Sequence, residues 1–498
     1  MKDPIKIYDA RWLTDEFADS EIKRLFEAAF LYAALLNIDT INITRDVRLG
    51  TARVMDIAIE TALRAGLRVY ACFDSFSTPL SYYTTALTTL KHPGTMGLTI
   101  TASHNPKEYI GVKFTVPEMQ AIGYNCGPLG GLKKVKELYH SPFNLDKKNG
   151  GELIIMEHPM EEYIQYSLKN AHVGEGSLRG LTVVLDALNG AAGAEIMRAL
   201  TLTGVKVIPH RIIPNGDFPS GSPNPTSQNK MDETLKIAAQ QNADVVIGLD
   251  GDGDRIVFGD KHGLFNAGFV MIPILETLLK SRNKNAATKV LYDPKVNPLA
   301  LKQWGALNVQ PLLFRNGHSQ IKGYMKQVDA LSGAEESGHF YHRLRIDSLN
   351  ISVENSLLTI LLFLNSLKQD KHILRELRDM QEQVFTSGEF NYLFDSDEIR
   401  DEALAKLIAD FKGDRAKISS QSADGIELQG YVLYKGVDIN DQGINLKNGW
   451  YSGYFRVATN EKGVVRSYIS TADKEQGEKL VYEVRQILEK EFSGRVID

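Results

Sequence analysis

Short runs of apolar and β-branched residues alternate with helix-like stretches through the first three-quarters of the chain. Strand-like runs at 40–44 and 67–73 are interleaved with helix-like stretches at 21–36 and 52–65. The alternation continues with predicted strands at 181–185, 205–208, 244–249 and 289–292 and predicted helices at 231–240 and 268–280. This pattern is typical of βαβ units and mostly parallel sheets, whose ligand-binding loops gather at the carboxyl edge of the strands.

Polar segments rich in glycine and proline divide this pattern. The segments at 146–151 and 260–263 predict boundaries, and the proline-rich segment at 215–229 predicts a long loop. After residue 369 the chain changes to charged helices and short strands and ends in a predicted helix at 474–491, which indicates a smaller α+β domain. We therefore predict an α/β fold with domains at 1–150, 151–262, 263–372 and 373–498.

Composition narrows the classes of protein that fit. The 498 residues are 43% hydrophobic and 24% charged, which is enough apolar material for several cores. The net charge of -5 argues against a nucleic-acid or acidic-membrane partner. Two cysteines, Cys72 and Cys126, form neither a disulfide framework nor a zinc signature. The apolar stretches at 269–279 and 357–364 are too short to span a bilayer, and the first residues lack a signal-peptide core, so we expect a cytoplasmic protein.

The first chemical signal is the sequence TASHNP at residues 101–106, which follows a predicted strand at 96–100. An Asn-Pro pair marks a turn just past a strand end. A serine in such a loop can be a nucleophile or carry a phosphoryl group, and His104 beside it can act as a base or contact a phosphate. The alternative is a structural turn in which Ser103 bonds its own backbone. This motif alone does not decide between the two.

The second signal is the sequence DGDGDR at 250–255, directly after the predicted strand at 244–249. Three carboxylates at alternate positions would repel one another if they were buried without a cation. Carboxylate oxygens suit Mg²⁺, and the glycines let the backbone curl so that Asp250, Asp252 and Asp254 converge. A solvated acidic loop explains this placement poorly. A calcium EF-hand loop does not fit, because Arg255 and Lys261 stand where it needs a turn glycine and a bidentate glutamate.

The two signals support each other. Mg²⁺ takes about six oxygen ligands and often recruits a phosphate. Three aspartates and an oxygen of Ser103 or its phosphate fit that requirement, with water in any remaining position. We therefore predict that Ser103 carries the phosphoryl group and that Asp250, Asp252 and Asp254 hold a metal, which would neutralise charge on the group in transfer.

With these residues in place, the sequence resembles the α-D-phosphohexomutase family, which comprises phosphomannomutases, phosphoglucomutases and phosphoglucosamine mutases. The family patterns T-[AG]-S-H-N-P and D-G-D-[GA]-D-R match residues 101–106 and 250–255. The family sugar-binding pattern G-E-x-S-G-H resembles AEESGH at 334–339, with Ala334 in place of the first glycine. Weaker matches follow in the same order along the chain: YDAR at 8–11, TRDVRL at 44–49, Lys113, DPK at 293–295 and GHS at 317–319.

The resemblance implies three related α/β domains and a C-terminal α+β domain around a central cleft, with one functional loop from each domain. It also implies an Mg²⁺-dependent enzyme that interconverts hexose 1-phosphates and hexose 6-phosphates. In such enzymes the phosphoserine, here Ser103, converts the substrate to a hexose 1,6-bisphosphate, which is both intermediate and activator. The intermediate reverses its orientation in the cleft and returns its other phosphoryl group to the serine.

Roles for further residues follow from the resemblance. Glu335 and Ser337, with His339, would bind two neighbouring sugar hydroxyls in either orientation of the sugar; a solvated acidic pair is the alternative for Glu335 and Glu336. The groups expected to move protons or stabilise phosphoryl charge are basic: Arg11, His104, Lys113, Arg255, Lys295 and His318.

The fourth family loop, R-x-S-N-T-E-P, has only an altered counterpart at residues 456–466. One alignment keeps Arg456 and Glu461 but loses the serine and the proline. The other pairs Thr459 and Asn460 with Ser-Asn and keeps Arg466, at the cost of a one-residue shift. Both alignments leave Arg456, Thr459, Asn460 and Arg466 as candidate ligands of the substrate phosphate that is not being transferred. A polar hairpin is the alternative interpretation of this stretch.

Several functions remain open at this level. The first is a phosphomannomutase or phosphoglucomutase, because the motifs at 8–11 and 335–337 resemble that branch more closely. The others are a phosphoglucosamine mutase, a non-catalytic sugar-phosphate-binding relative and a metal-dependent phosphatase. The intact Ser103 and aspartates disfavour the non-catalytic relative. The expected partner is a small hexose phosphate, with neither nucleic acid nor membrane, and both a monomer and a homodimer fit.

Overall fold

The computed structural model describes residues 2–143, 145, 148–280, 287–440, 443–458 and 461–497. Two of the residues at the predicted boundary 146–151, Asp146 and Lys147, lie outside this part of the chain. The chain divides into two compact units, each built from several segments. The first unit comprises Met1–Leu264, Gly317–Asp329 and Ser337–Lys368, and the second comprises Phe265–Asn316, Ala330–Glu336 and Gln369–Asp498.

The first α/β domain contains a seven-stranded mixed sheet. Its elements are β1 (Ala10–Leu13), α1 (Asp19–Leu35), β2 (Thr40–Arg45), α2 (Thr51–Arg64), β3 (Arg68–Ser75), α3 (Thr78–Lys91), β4 (Thr95–Ile100), β5 (Tyr109–Val116), β6 (Gln120–Ala121), α4 (Leu132–His140) and β7 (Glu152–Ile155). The strand order is β1-β5-β4-β2-β3-β7, with β6 on β5. Strand β7 pairs in parallel with β3, so this sheet extends past the predicted boundary at residue 150.

Burial explains why this part of the sequence forms helices and parallel strands. Strand β4 is buried at every position and β2 at all but its last, as expected for strands covered by helices on both faces. Helix α1 begins after Ala18, where Glu21 accepts a hydrogen bond from the Ala18 N–H. Its apolar face, which includes Leu25 and Phe26, packs into the same core as the buried residues of β2 and β4.

The second α/β domain repeats this arrangement with fewer strands. Its elements are α5 (Met160–Asn170), β8 (Thr182–Asp186), α6 (Gly193–Leu202), β9 (Lys206–His210), α7 (Asp232–Gln241), β10 (Val245–Leu249), β11 (Ile256–Asp260) and β12 (Gly263–Phe265). The strand order is β12-β11-β10-β8-β9, with β8, β9 and β10 parallel and β11 antiparallel to β10. The segment at 215–229 forms turns and bends, in agreement with the predicted loop.

The third α/β segment supplies parallel strands to the second unit and a hairpin to the first. Its elements are α8 (Ala267–Leu279), β13 (Thr288–Tyr292), α9 (Pro298–Ala306), β14 (Val309–Leu313), α10 (His318–Val328), β15 (Ser332–Ala334), β16 (Phe340–Ile346), β17 (Leu349–Glu354) and α11 (Ser356–Gln369). Strand β13 pairs in parallel with β14 and β15, and β16 pairs antiparallel with β17.

The same strand order recurs in the parallel part of each sheet: the first strand in the chain lies between the second and the third. The loops that carry the predicted chemistry all follow the third strand of their set. They are the loop between β4 and β5, the loop between β10 and β11, and the loop between β15 and β16. The carboxyl ends of parallel strands are where ligand sites form in such sheets. The repeated order therefore places three different sequences in equivalent positions.

The C-terminal domain is antiparallel, and its described elements match the predicted change to an α+β architecture. They are α12 (Ile373–Glu382), β18 (Phe385–Thr386), β19 (Phe390–Leu393), α13 (Asp397–Gly413), β20 (Lys417–Gln421), β21 (Glu427–Asn440), β22 (Gly443–Val457), β23 (Val464–Thr471), α14 (Lys474–Arg485), a π-helix (Gln486–Glu491) and β24 (Arg495–Ile497). The strand order is β20-β21-β22-β23-β19-β24, with β18 also paired to β23. In the described part of the chain, no helix is long and apolar enough to cross a membrane.

One buried carboxyl links the first two α/β domains. Glu195, in the first turn of α6, is 3% exposed and accepts a 2.6 Å hydrogen bond from the Oγ of Ser77. Ser77 is the N-cap of α3, where its Oγ also accepts a hydrogen bond from the Leu80 N–H. Burial raises the pKa of Glu195 to about 8, so the group is mostly neutral at pH 7.

We predict that Glu195→Gln makes stability less dependent on pH. Because the pKa of Glu195 is higher in the folded than in the unfolded chain, its favourable contribution is complete below about pH 4.5 and is lost as pH rises through 8. Glutamine keeps the acceptor for Ser77 and has no charge to bury. Thermal midpoints of both proteins should therefore agree near pH 4.5 and diverge toward pH 8.5, where the variant should unfold several degrees higher.

The exposed substitution Glu175→Gln is the matched control and should leave the pH dependence unchanged. A constant difference between Glu195→Gln and the wild type across this pH range would contradict a neutral buried carboxyl.

Candidate active site

Ser103 lies at the start of the loop that joins β4 to β5. Its backbone is in the left-handed region, at φ 52°, and its N–H donates to the Oγ1 of Thr101 over 2.9 Å. This conformation is uncommon for a residue other than glycine. The Oγ of Ser103 donates to the Oδ2 of Asp250 over 3.0 Å. The two motifs that the sequence analysis pairs, 147 residues apart, are therefore in direct contact.

The three aspartates of the second motif converge between β10 and β11. Asp250, Asp252 and Asp254 are buried, and one carboxylate oxygen from each lies within 4.8 Å of the other two. Gly253 makes this convergence possible, because its φ of 71° is a conformation that other residues rarely adopt. On an extended strand, three aspartates at every second position would share one face but lie too far apart to converge. The chain must curl here, as the glycines predict.

Burial and close contact shift the pKa values of this cluster strongly. Burial and the neighbouring Asp252 and Asp254 raise the pKa of Asp250 well above its usual range. Burial also opposes ionisation of Asp254, but Lys113 and His339 outweigh it and hold the pKa of Asp254 well below its usual range. Lys113 Nζ lies 2.8 Å from Asp252 Oδ2 and 2.5 Å from Asp254 Oδ2. Despite its burial, those two carboxylates raise the pKa of Lys113 well above its usual range.

The donor set fits a hard divalent cation. Asp252 Oδ1 is buried and has no hydrogen-bond partner among the described residues, which would be costly without a further ligand. Carboxylate and hydroxyl oxygens are the ligands that Mg²⁺ takes in proteins. Asp250, Asp252 and Asp254, with Ser103 beside them, therefore have the chemistry and convergence that such an ion requires.

Part of the predicted sugar loop packs on the aspartate loop within the first unit. The backbone of Arg255 pairs with that of His339, and the Ile256 N–H donates to the Gly338 carbonyl over 2.8 Å. His339 Nε2 lies 3.4 Å from Asp254 Oδ1, and Ser337 Oγ lies 2.9 Å from His339 Nδ1. The structure thus places His339 against a carboxylate of the candidate metal site, a contact that the resemblance does not specify.

Three more predicted catalytic residues lie in the first unit. Arg11, on β1, donates to Asn105 Oδ1 over 2.8 Å and pairs with Asp9. Ser103 Oγ and His104 Nδ1 are 3.4 Å apart. His318 begins α10, and its two buried ring nitrogens have no hydrogen-bond partner in the part of the chain that is described.

Both histidines are neutral at physiological pH. Burial and the positive charges of Arg255 and Arg11 lower the pKa of His104 well below its usual range. Burial lowers the pKa of His318 in the same way, with further contributions from Lys322 and Lys113. A neutral imidazole can accept a proton, whereas a protonated one cannot.

In the second unit, the other half of the sugar loop is held by Glu336. Its carboxylate accepts hydrogen bonds of 2.9 Å from the backbone N–H groups of Ala267 and Gly268 at the start of α8. Asp293 Oδ1 accepts the Glu336 N–H over 3.3 Å. Burial raises the pKa of Glu336 to about 7. Glu335, the predicted sugar ligand, is 2% exposed, so the interpretation of residues 335 and 336 as a solvated acidic pair is wrong.

A second cluster in this unit contains the cations expected near a phosphate. Arg456 and Arg466 face each other across the paired strands β22 and β23. Glu389 lies between cations: its Oε1 is 2.7 Å from Arg466 Nη1, and its Oε2 is 3.3 Å from Lys295 Nζ. Arg466 Nη2 also lies 2.7 Å from Glu461 Oε2. Although burial opposes it, Lys295, Arg466 and Arg456 lower the pKa of Glu389 to about 2.

Two directly opposed arginines are unfavourable unless an anion lies near them. Strands β22 and β23 pair as an antiparallel hairpin, as the alternative interpretation of the fourth loop predicts. Both arginines lie on these strands, directly opposite each other. The predicted ligands Thr459 and Asn460 lie outside the described residues.

Some residues that shape the site have no assigned role in the sequence analysis. Thr78 Oγ1 donates to Asp252 Oδ2 over 2.6 Å, and Thr101 Oγ1 donates to Asp46 Oδ2 over 2.7 Å. Lys322, one helical turn after His318, pairs with Glu354 over 2.6 Å. These residues, and Glu389, lie far apart in sequence from the groups they contact. The one signal in the sequence was the match TRDVRL at 44–49, which contains Asp46 and Arg48 just after a strand.

Comparison with known proteins identifies the family. Residues 5–123, 161–263 and 268–384 match alpha/beta/alpha domains I, II and III of phosphoglucomutase/phosphomannomutase. The phosphomannomutase of Escherichia coli strain K12 is 30% identical over 354 residues, covering 68% of this chain and 72% of that protein. The chain therefore belongs to the phosphoglucomutase/phosphomannomutase family, whose members are phosphohexomutases. It is accordingly a phosphotransferase enzyme of the mutase type.

Other relatives cover more of the chain. The phosphohexose mutases of Xanthomonas campestris pv. campestris strain B100 are 28% identical over 418 residues, covering 82% of this chain and 86% of that protein. A phosphoglucomutase/phosphomannomutase family structure from Burkholderia thailandensis has the same fold, with a TM-score of 0.78 over 99% of this chain and 98% of that one at 20% identity. An N-acetylphosphoglucosamine mutase from Aspergillus fumigatus, complexed with GlcNAc-6P and magnesium, gives a TM-score of 0.53 at 14% identity over 83% of this chain and 93% of that one.

We predict that Mg²⁺ binds at this site and stabilises the protein. Mutual repulsion of the three aspartates destabilises the metal-free fold, so Mg²⁺ should raise the thermal midpoint and a chelator should reverse the rise. Asp250→Asn removes one ligand charge and should weaken Mg²⁺ binding by about tenfold or more in titration calorimetry.

The matched control is Asp232→Asn, an exposed residue in the first turn of α7, which should bind Mg²⁺ like the wild type. Equal Mg²⁺ affinity in the wild type and Asp250→Asn would place the ion elsewhere.

Proposed function

We propose that this enzyme interconverts the 1-phosphate and 6-phosphate of mannose, glucose or both through a phosphorylated Ser103 and a hexose 1,6-bisphosphate. The observation that carries the proposal is the 3.0 Å contact between Ser103 Oγ and Asp250 Oδ2. This contact supports the proposed role of Ser103, because its Oγ lies beside a cluster of carboxylate oxygens. A serine in a structural turn does not require its hydroxyl to contact a buried carboxylate of this cluster.

In the proposed reaction, the phosphoryl group moves from Ser103 Oγ to a sugar hydroxyl, and the hydroxyl proton goes to a neighbouring base. Return of the other phosphoryl group to Ser103 reverses these bond changes at the opposite end of the sugar. Mg²⁺ held by Asp250, Asp252 and Asp254 would supply charge neutralisation during transfer. Cationic Lys113, Arg11 and Arg255 contribute positive charge from the protein itself.

The proton acceptors are the neutral imidazoles. His318 is the stronger candidate, because its two ring nitrogens are buried and have no hydrogen-bond partner among the described residues. His104 lies next to Ser103 and its Nδ1 is 3.4 Å from Ser103 Oγ, so it can contact the serine-bound phosphate. Neither group needs to lose a proton before it can act as a base at neutral pH.

Glu335 and Ser337 are proposed to bind the sugar. A carboxylate repels phosphate but accepts hydrogen bonds from two vicinal hydroxyls. These hydroxyls would occupy the same place after the sugar reverses its orientation. Glu336 supports this role, because its bonds to the start of α8 fix the backbone next to Glu335. His339 would connect the sugar loop to the metal site through Asp254.

The distal phosphate is proposed to bind at Arg456 and Arg466, with Lys295 beside them. A hexose bisphosphate carries its phosphates at opposite ends of the ring, so a single metal site reaches only one. Arg456 and Arg466 lie opposite each other on β22 and β23 with Lys295 nearby, and Glu389 and Glu461 pair with Arg466, so a phosphate would compete with these carboxylates for the cations. Thr459 and Asn460 are proposed to add hydrogen bonds.

The proposed choice of hexose draws on what the relatives are named for. The Escherichia coli relative is a phosphomannomutase, and the Xanthomonas relatives are phosphohexose mutases. A phosphoglucosamine mutase is the second candidate, favoured by the fold shared with the Aspergillus enzyme in complex with GlcNAc-6P and magnesium. Assays with mannose, glucose and glucosamine phosphates, each started with a trace of the matching bisphosphate, separate the candidates.

We predict that Ser103→Ala lowers turnover by at least 10³-fold, because it removes the atom that carries the phosphoryl group. Intact-mass analysis of the wild type treated with hexose 1,6-bisphosphate should show one added phosphate that Ser103→Ala lacks. Ser77→Ala is the control serine and should still become phosphorylated. Near-normal turnover by a folded Ser103→Ala enzyme would rule out the proposed mechanism.

We predict that Arg466→Ala raises KM for hexose phosphates by roughly 10- to 100-fold, the cost of losing charge-assisted hydrogen bonds to a phosphate. Mg²⁺ affinity and phosphorylation of Ser103 should change little. Arg495→Ala, which removes an exposed arginine of the same domain, should leave KM unchanged. If Arg466→Ala and Arg456→Ala both keep the wild-type KM, the distal phosphate binds elsewhere.

A further inference from the structure

Arg48 is a fully buried arginine between β2 and α2, and its guanidinium contacts the Ser103 loop. It is 1% exposed. All five N–H groups of its guanidinium have acceptors. Nε donates to Asp46 Oδ2 over 3.2 Å, and the other four donate to backbone carbonyls: Nη2 to Ser103 (2.6 Å) and Asn105 (2.7 Å), and Nη1 to Pro106 (2.7 Å) and Tyr109 (3.2 Å).

These four carbonyls span the loop that joins β4 to the start of β5. The carbonyl groups of a buried loop need hydrogen-bond donors, and those that lie outside the sheet ladder must find them elsewhere. One rigid planar group that bonds four of them fixes their relative positions. The conformation of the serine loop therefore depends on one side chain that lies 55 residues earlier in the sequence.

The bond to the Ser103 carbonyl has a specific consequence for the side chain. Ser103 holds a left-handed backbone at φ 52°, which costs free energy for a residue with a side chain. The 2.6 Å bond from Arg48 stabilises this conformation. If Ser103 relaxed to a negative φ, the direction of its Cα–Cβ bond relative to the loop would change, and Oγ would lose its position beside Asp250.

The surroundings hold Arg48 itself in place. Asp46 accepts from both the Nε and the backbone N–H of Arg48, and it also accepts from Thr101 Oγ1. Thr101 Oγ1 in turn accepts the Ser103 N–H. The ring of Phe218, in the loop at 215–229, lies 4.9 Å from the guanidinium carbon. Ser103 is thus held on its N–H side through Asp46 and Thr101 and on its carbonyl side through Arg48.

We propose that Arg48 is a positioning residue for phosphoryl transfer: it fixes the backbone of the serine loop so that Ser103 Oγ faces the aspartate cluster. The proposal rests on the proposed role of Ser103. Arg48 donates to backbone carbonyls and to Asp46, so its contribution is to geometry. Geometric errors of about 1 Å at a reacting group can cost about 100-fold in rate.

The test compares Arg48→Lys with the wild type and with Arg53→Lys. Lysine keeps the charge and can replace at most part of the five-donor fork. Arg53 is a half-exposed arginine of α2 paired with Asp19, so Arg53→Lys controls for loss of an arginine in the same region. We expect Arg48→Lys to lower kcat by roughly 10- to 100-fold with KM within about threefold of the wild type. Arg53→Lys should match the wild type in both constants.

A second readout isolates the serine loop from sugar binding. The rate at which dephosphorylated enzyme takes a phosphoryl group from hexose 1,6-bisphosphate, followed by intact mass, should fall in Arg48→Lys by the same factor as kcat. Guanidinium ion added to Arg48→Ala should restore part of this rate, because it can occupy the vacated site. If Arg48→Lys does not fold, the same assay is run on Asp46→Asn. This substitution weakens the contact between Asp46 and the Nε of Arg48.

The outcomes are distinct. A folded Arg48→Lys enzyme with wild-type kcat and wild-type phosphorylation rate overturns the positioning role while leaving the function of Ser103 intact. A large rise in KM without a change in kcat also overturns it, because it would indicate a binding role. If the wild-type enzyme itself never carries phosphate on Ser103, the proposed function fails before the variant is considered.

Discussion

Mutual repulsion among three buried carboxylates is the constraint on which the rest of the first unit depends. Asp250, Asp252 and Asp254 lie too close together to be stable as a bare ionised cluster, so the protein surrounds them with donors and positive charge. Lys113 comes from β5 and His339 from the segment before β16. Ser103 joins the same cluster from a third segment. Ion pairs and hydrogen bonds to these carboxylates therefore hold together segments that are distant in sequence.

Much of the fold could be predicted because its elements are determined locally. The predicted strands at 40–44 and 244–249 correspond to buried β2 and β10, where continuous apolar runs leave little choice of structure. Ser103 and the aspartates could be predicted for a similar reason. Glycine and proline at fixed offsets after a strand describe a loop shape, and the repeated carboxylates specify a chemistry that few structures other than a metal site can accommodate.

The remainder of the site depends on contacts that no local pattern encodes. Arg48 reaches a loop 55 residues away, and Glu389 joins Lys295 to Arg466 across gaps of 94 and 77 residues. The family pattern gives Glu335 a role and leaves Glu336 at a variable position, yet Glu336 accepts two hydrogen bonds at the start of α8. Which of two adjacent glutamates faces a ligand is set by tertiary packing, and a single sequence does not record it.

The recurrence of one loop position in three sheets has a consequence for how this architecture can change. Each functional loop leaves a parallel strand and enters the next strand of the chain, so its ends are fixed by backbone pairing rather than by its own side chains. Ala334, which replaces the glycine usual in the family pattern, is the last residue of β15 and pairs with Tyr292, so the replacement falls on the scaffold and leaves the loop itself unaltered. We expect that a relative's loop can be grafted between the same two strands without disturbing the sheet, which would change the side chains at the site and leave the scaffold intact.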